Sequence, residues 1–480
     1  MTMKPVRLSL LVFLGGSLAA CSDSDGPTGG NGGGDACSTN PGACAATLSA
    51  DITTNRTLYA DTVYTLTDFV HVRDGATLTI QPGTVVRGQI GSALFVLPGA
   101  RMEARGRADA PIVFTSAEPV GSRRPGDWGG LILVGNGVIN RTGDVQLEGT
   151  NTGGNNHEVS YSGGTNDADD SGALEYVRVE FAGFGPAPDQ ELNSFTFAAV
   201  GSGTTLSHLQ ALNGLDDAFE WFGGAVDGKY LVSYETGDDH FDASEGYVGR
   251  NQFLVAYQSG VLKPRPGSGD VAGDPQGFEV DGCSGSGCAS QDATPLTDPL
   301  FANFTLVGTG PNDAVAAKSG GVGMVIRRGA AGQYVNGIVA RWPRAGISLR
   351  DATTQAHASD GRLTLRNIHL ADVGADFEGG SGRFTVDAAA SAITTGEGTA
   401  ESLFAALPSA AAPPTSAVAF DWTPAGGVAI ATSGTGTFSG ALAAKGGSFV
   451  TGTAYAGAAS PTGPKWWQGW TYYEAAAGQN

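Results

Sequence analysis

Two stretches of this chain repeat each other in character at a separation of 22 residues: Leu209-Gln210-Ala211-Leu212-Asn213-Gly214-Leu215-Asp216-Asp217-Ala218-Phe219-Glu220 and Leu231-Val232-Ser233-Tyr234-Glu235-Thr236-Gly237-Asp238-Asp239-His240-Phe241-Asp242. A unit this short cannot enclose its own apolar side chains, so it must bury them against copies of itself, as the coils of a solenoid do. Leu254-Val255-Ala256-Tyr257 restarts the pattern. A Pro- and Gly-rich insertion over residues 258–275 interrupts it, and Gly277-Phe278-Glu279-Val280-Asp281-Gly282 resumes it, which predicts three successive coils.

Short β-rich runs recur elsewhere, at residues 77–80, 94–97, 112–115 and 131–134, with starts 17, 18 and 19 residues apart, a drifting period near twenty of the kind that solenoid coils show. Fainter candidates follow at 304–307, 324–327, 338–342, 347–349 and 363–370. No long amphipathic helical pattern separates them, which argues against βαβ units. The 75 glycines favour a turn-rich chain. The expected fold is all-β, a right-handed parallel β-helix over residues 49–404; a solenoid of this length can be one domain, although the length also allows two. Residues 145–172 are polar and read as a loop projecting from the stack. Residues 405–480 are rich in Ala, Ser, Thr, Gly and Pro and read as a low-complexity end whose aromatic run, Trp466-Trp467-Gln468-Gly469-Trp470-Thr471-Tyr472-Tyr473, would cap an exposed terminal rung. The alternative for that run is a platform on which sugar rings stack.

The first twenty residues have the form of an export signal: Lys4 and Arg7, an apolar run at 8–14 too short to span a bilayer, then small residues. Leu18-Ala19-Ala20-Cys21 resembles the lipobox of bacterial lipoproteins. That resemblance implies cleavage before Cys21 and acyl chains on it, hence anchoring in membrane lipid; Ser22, standing where an Asp would imply inner-membrane retention, points to the outer membrane. Residues 21–48 read as a disordered tether, because the run 22–35 carries almost no side chain that could bury apolar surface.

Setting Cys21 aside, the five cysteines leave two local pairs, Cys37 with Cys44 and Cys283 with Cys288. Disulfides fit an oxidising compartment, with free thiols the alternative for the second pair. No histidine lies at zinc-ligand spacing from either pair. A net charge of -20 disfavours nucleic acid as a partner and leaves cations or neutral sugars as better matches.

The repeat places Glu220, Asp242 and Glu279 at one position on consecutive coils, each after a phenylalanine. If the phenylalanines face inward, the carboxylates face outward. Parallel strands lie about 4.8 Å apart, so such a file needs water, a cation or protons to relieve repulsion. Asp216, Asp217, Asp238 and Asp239 stack one turn upstream. Clustered oxygens of this kind suit calcium, and the file is the expected ligand-binding surface. Outward carboxylates can also supply a general acid and base for polysaccharide cleavage, with Asp238, Asp239 and Asp242 as candidates. Asp238-Asp239-His240 resembles part of the pattern of β-helix polysaccharide hydrolases, but no Gly-His-Gly segment accompanies it, and Lys229 or Arg250 are the available bases for a lyase. His240 is read as a neutral surface histidine. Nucleophile-elbow, phosphate-loop, His-Glu-x-x-His and haem-attachment motifs are missing from the sequence.

Asp127-Trp128-Gly129-Gly130-Leu131-Ile132-Leu133-Val134-Gly135, the Asp-Asp-x-Phe-Asp/Glu rungs and the closing Gly469-Trp470-Thr471 are similar to a family of secreted or lipid-anchored bacterial β-helix proteins, over roughly residues 50–475. The resemblance implies fold and location, and hardly touches activity. The function expected from these readings is binding, adhesion or display at the envelope, directed at a polysaccharide or an outer-membrane protein. Polysaccharide lyase or hydrolase chemistry is the alternative.

Overall fold

The structure, a computed structural model, describes residue 42 and residues 44–478 except 151–156, 188–189, 273–274, 312–319 and 413. The export signal, Cys21 and Cys37 lie outside the described residues. Two parallel sheets dominate, one of 14 strands and one of 10. The first sheet begins with Cys44–Leu48, paired in parallel to Thr62–Leu66. This strand lies inside the span read as tether, and its Leu48 is fully buried in the core. Cys44 is disulfide-bonded, and its partner lies outside the described residues. The second predicted pair is a disulfide, Cys283–Cys288, with Cα atoms 5.6 Å apart.

The early runs are strands, but they do not lie over one another. Thr77–Ile80 and Ile112–Ser116 belong to the first sheet, Ala93–Val96 and Leu131–Val134 to the second. A spacing of 17 to 19 residues therefore measures the distance between faces of the helix rather than one full coil. The register shows the full coil: Val63 pairs with Val85, and Val70 with Leu94.

In the early coils the first sheet is built from two short strands per turn. From Gly172–Glu180 onward the two fuse, since this strand pairs with both Arg101–Arg105 and Ile112–Ser116. The fused strands turn a corner at one residue per coil, each with positive φ: Tyr176, His208, Tyr230, Phe253, Asn303, Asn336 and Asn367. These are left out of the pairing on either side. A left-handed backbone costs roughly 1–2 kcal/mol for an ordinary side chain and is milder for Asn. Stacking offsets it in the aromatic coils, with ring centroids 4.2 Å apart for Tyr176 and His208 and 4.4 Å for His208 and Tyr230. The asparagines instead bond the C-terminal segment: Asn303 Nδ2 donates to Thr453 Oγ1 at 2.7 Å, and Asn336 Oδ1 accepts from the Thr435 N–H at 2.7 Å.

That segment is not an end cap. Phe420, Trp422, Trp467, Trp470 and Tyr473 pack on outward residues of the first sheet, among them Leu212, Val232, Tyr234, Tyr257 and Ile338. The segment runs back along the flank until the Ala477 N–H donates to Arg123 O. It follows the flank because the outer face of the fused strands is apolar and would otherwise meet water. The C-terminal end of the stack is closed by Phe377, Phe384, Val386 and Ile393.

The described strands of the span 145–172 do not project. Its hairpin, Val145–Gln146 with Ser160–Tyr161, lies on the outer face of the second sheet, where Val145, Leu147, Val159 and Tyr161 pack on Phe69, Phe95, Ile132 and Val134. The Asp127–Gly135 motif is structural. Trp128 is buried and donates to Glu180 O at 2.9 Å, and a Cβ at Gly130 would come within 2.0 Å of Asn193 O.

Asn336→Ala removes both the tolerance of the bend and the bond to Thr435, and it is expected to lower stability by about 1–3 kcal/mol. Asn336→Gly keeps the bend and loses less. Urea unfolding of the two variants checks the order.

Candidate functional site

Inside the second sheet the phenylalanines stack as a core. Phe195, Phe219 and Phe241 have centroids 4.9 Å and 5.4 Å apart, and Phe278 meets Phe241 edge-on. Alternation then sends the following residue outward. Thr196 pairs with Glu220, Glu220 with Asp242, Asp242 with Glu279, and Glu279 with Val325. The three predicted carboxylates therefore stand in one file.

One turn upstream a second column has a definite structural task. Asn193 Oδ1 accepts the Asp217 N–H at 3.1 Å, Asp217 Oδ1 the Asp239 N–H at 2.8 Å, Asp239 Oδ1 the Gln276 N–H at 2.5 Å, and Gln276 Oε1 the Val322 N–H at 3.0 Å. Each side chain thus satisfies the backbone of the next coil where the strands are interrupted. Asp217 and Asp239 were visible in the repeat. Asn193 and Gln276 were not, because Asn and Gln carry no charge pattern and Gln276 follows the long insertion.

The two columns meet. Single oxygens of Asp216, Asp217 and Asp238, of Asp217, Glu220 and Asp242, and of Asp239, Asp242 and Glu279 form three overlapping groups, each within 4.8 Å. All seven predicted acidic residues are brought together. Few cations answer them: Arg327 reaches Glu279 at 2.6 Å and Asp281 at 2.8 Å, and Arg328 also contacts Asp281. Asn193 Nδ2 donates to Glu220, whereas Asp242 Oδ1 is buried with no hydrogen-bond partner among the described residues.

Expected outward, these side chains are nonetheless sheltered: Glu220, Asp217 and Asp239 are buried, and Asp216, Asp238 and Asp242 are half-buried. Burial raises the carboxyl groups of Asp216, Asp217, Glu220, Asp239 and Asp242 well above their usual range. The next cause in each is another carboxylate: Glu148 from the covering loop for Asp216, Glu220 for Asp217, Asp242 for Glu220, Asp238 for Asp239 and Glu279 for Asp242. The site is a sheltered cluster of carboxyl groups.

His240 is not a surface residue. It is buried against Trp342, its Nδ1 lies 2.6 Å from Ser233 Oγ, and burial holds its imidazole neutral, down at about 3. Lys229 and Arg250 lie on the first sheet, both over the Phe449 ring, where they cannot serve as bases for the acidic file.

In-register coils, a phenylalanine core stack and an outward acidic file define a single-stranded parallel β-helix protein. The chain belongs to the pectate-lyase like beta helix domain family, whose profile matches residues 50–411. No curated protein and no solved structure matches the chain. Among the described residues, no helix is long and apolar enough to cross a membrane.

The raised carboxyls fix the sign of a pH effect. Their folded-state values lie above the ordinary 3.8 for Asp and 4.5 for Glu. The stability tied to them is therefore fully present below the ordinary range and is lost as pH rises toward the raised values. In chelator the melting temperature is expected to be higher at about pH 5 than at about pH 8, and Asp242→Asn is expected to flatten the difference. Thermal melts across that range decide; an unchanged slope in the variant removes Asp242 from the account.

Proposed function

We propose that the chain is an envelope lipoprotein, anchored in the outer membrane by acyl chains on Cys21, whose β-helix is a rigid body for binding and display and whose sheltered acidic file holds calcium. The partner in this reading is a polysaccharide or an outer-membrane protein. The observation that carries the cation reading is Asp242 Oδ1, buried, without a hydrogen-bond partner among the described residues, and set among carboxylate oxygens within 4.8 Å of one another. Calcium bonds oxygen at about 2.3–2.6 Å, so ligands on opposite sides of one ion stand up to about 5 Å apart. Asp216, Asp217, Glu220, Asp238, Asp239, Asp242 and Glu279 supply the donors, and their charge calls for a cation of high charge.

Support for display comes from the stack itself. Eleven strands follow one another along the first sheet, which at about 4.8 Å per coil makes a rod of roughly 50 Å. Burial of Asp217, Glu220, Asp239 and Glu279 leaves the acidic file unsuited to a polymer chain, so a glycan would dock elsewhere on the rod. Family membership also supports polysaccharide cleavage through Asp238, Asp239 and Asp242. The burial of Asp239 speaks against it, because a general acid or base must reach the glycosidic bond.

Calcium added to chelator-treated protein is expected to release or take up heat and to raise the melting temperature at neutral pH. Asp242→Asn is expected to weaken both. Absence of heat together with an unmoved melting temperature removes the cation. Cys21→Ser is expected to shift the expressed protein from the membrane to the soluble fraction, and membrane retention of that variant contradicts the anchor.

A further inference from the structure

Three of the six histidines touch a serine hydroxyl, and the contacts differ in kind. Ser207 and His208 are sequence neighbours, 2.8 Å apart at Nδ1. Ser233 and His240 are 2.6 Å apart at Nδ1, both fully buried. His369 is engaged on both ring nitrogens: Nδ1 lies 2.6 Å from Glu397 Oε2, and Nε2 lies 2.6 Å from Ser433 Oγ. The three residues come from separate segments. His369 is in the last first-sheet strand, Leu363–Ala371, Glu397 follows the closed end of the stack, and Ser433 is on the flanking C-terminal segment.

The chemistry of this contact is directional. A carboxylate only accepts, so Nδ1 carries the proton shared with Glu397, and Nε2 presents its lone pair to the Ser433 hydroxyl. The imidazole is thus oriented as a base toward the serine, the arrangement of roles in a nucleophile–base–acid triad. Its ring is almost wholly shielded, at 2% side-chain exposure against 12% for Glu397, while Ser433 is half-exposed beside exposed Thr432. The nucleophile is therefore reachable, and the relay behind it is dry. Thr432 N–H is committed to Ala429 O and Gly434 N–H to Ala454 O.

We propose that Ser433, His369 and Glu397 form an acyl-transfer site for short-chain carboxylic esters, independent of the acidic file. Ser433 Oγ attacks the ester carbonyl carbon as its proton passes to His369 Nε2. The carbon–oxygen bond to the alcohol breaks, and the leaving alkoxide takes that proton, giving acyl-Ser433 and a free alcohol. Water then attacks the acyl-serine, again giving its proton to His369, and the carboxylic acid leaves as the serine hydroxyl is restored. An ester fits better than an amide, whose amine is harder to expel. The short acyl group follows from the shallow position of Ser433.

The test uses the full chain, p-nitrophenyl acetate and a fluorophosphonate probe. The wild-type protein is expected to hydrolyse the acetate and to carry the probe on Ser433, located by peptide mass. Ser433→Ala is expected to fall to the uncatalysed rate, and Glu397→Gln to lower kcat by roughly a hundredfold with KM little changed. Labelling of the wild-type protein does not depend on any variant folding. An unlabelled Ser433, or hydrolysis by Ser433→Ala at the wild-type rate, overturns the proposal.

Discussion

Register between parallel coils is the constraint from which the rest of this molecule follows. Each strand bonds the next without slip from Phe195–Ala198 through Phe219–Phe222, Phe241–Ser244 and Gln276–Asp281, so like residues stand over like residues. Inside, this makes a stack of phenylalanines whose burial stabilises the fold. Outside, the same geometry piles carboxylate on carboxylate, which opposes it. A one-residue slip would send the rings to the outer face and the acids into the core, so the two columns are inseparable.

The molecule relieves the acidic file in ways that the sequence shows only in part. Asp217 and Asp239 accept backbone N–H groups across coils, Asn193 donates to Glu220, and Arg327 answers Glu279. The hairpin works in the opposite direction, because it adds Glu148 to the field at Asp216, Glu220 and Asp242. A neighbour that intensifies repulsion is intelligible if the carboxyls it faces are held by protons or by a cation. The flanking segment has a simpler logic, covering an apolar face and supplying the partners of Asn303 and Asn336 at the bends.

Fold class and the membership of the acidic file were legible because the 22-residue repeat aligns Glu220 under Asp242, and an interrupted repeat still aligns Glu279. What escaped has physical causes. Faces were mistaken for coils in the early runs because one turn of the helix carries more than one strand, and periodicity counts strands. The hairpin and the C-terminal segment were misplaced because their contacts are to residues far along the chain, such as Tyr161 to Phe222 and Trp422 to Tyr234, which no local pattern records. His240 looks exposed from its acidic neighbours in sequence, but it precedes the strand Phe241–Ser244, where alternation does not apply, and packs against Trp342 and Ser233. Ser433 had no signal at all, since Thr432-Ser433-Gly434 lacks an elbow and its base and acid lie on other segments.

If the carboxylates of successive coils truly share one sheltered space, charge removed from one must be felt by the next. The most direct measurement is a double-mutant cycle of Glu220→Gln and Asp242→Asn, read as unfolding free energy in chelator near neutral pH. Each substitution alone relieves its neighbour, so the pair is expected to stabilise less than the two effects added together, with a coupling of about 0.5–3 kcal/mol. Strict additivity would show that the two groups do not interact and would contradict the account.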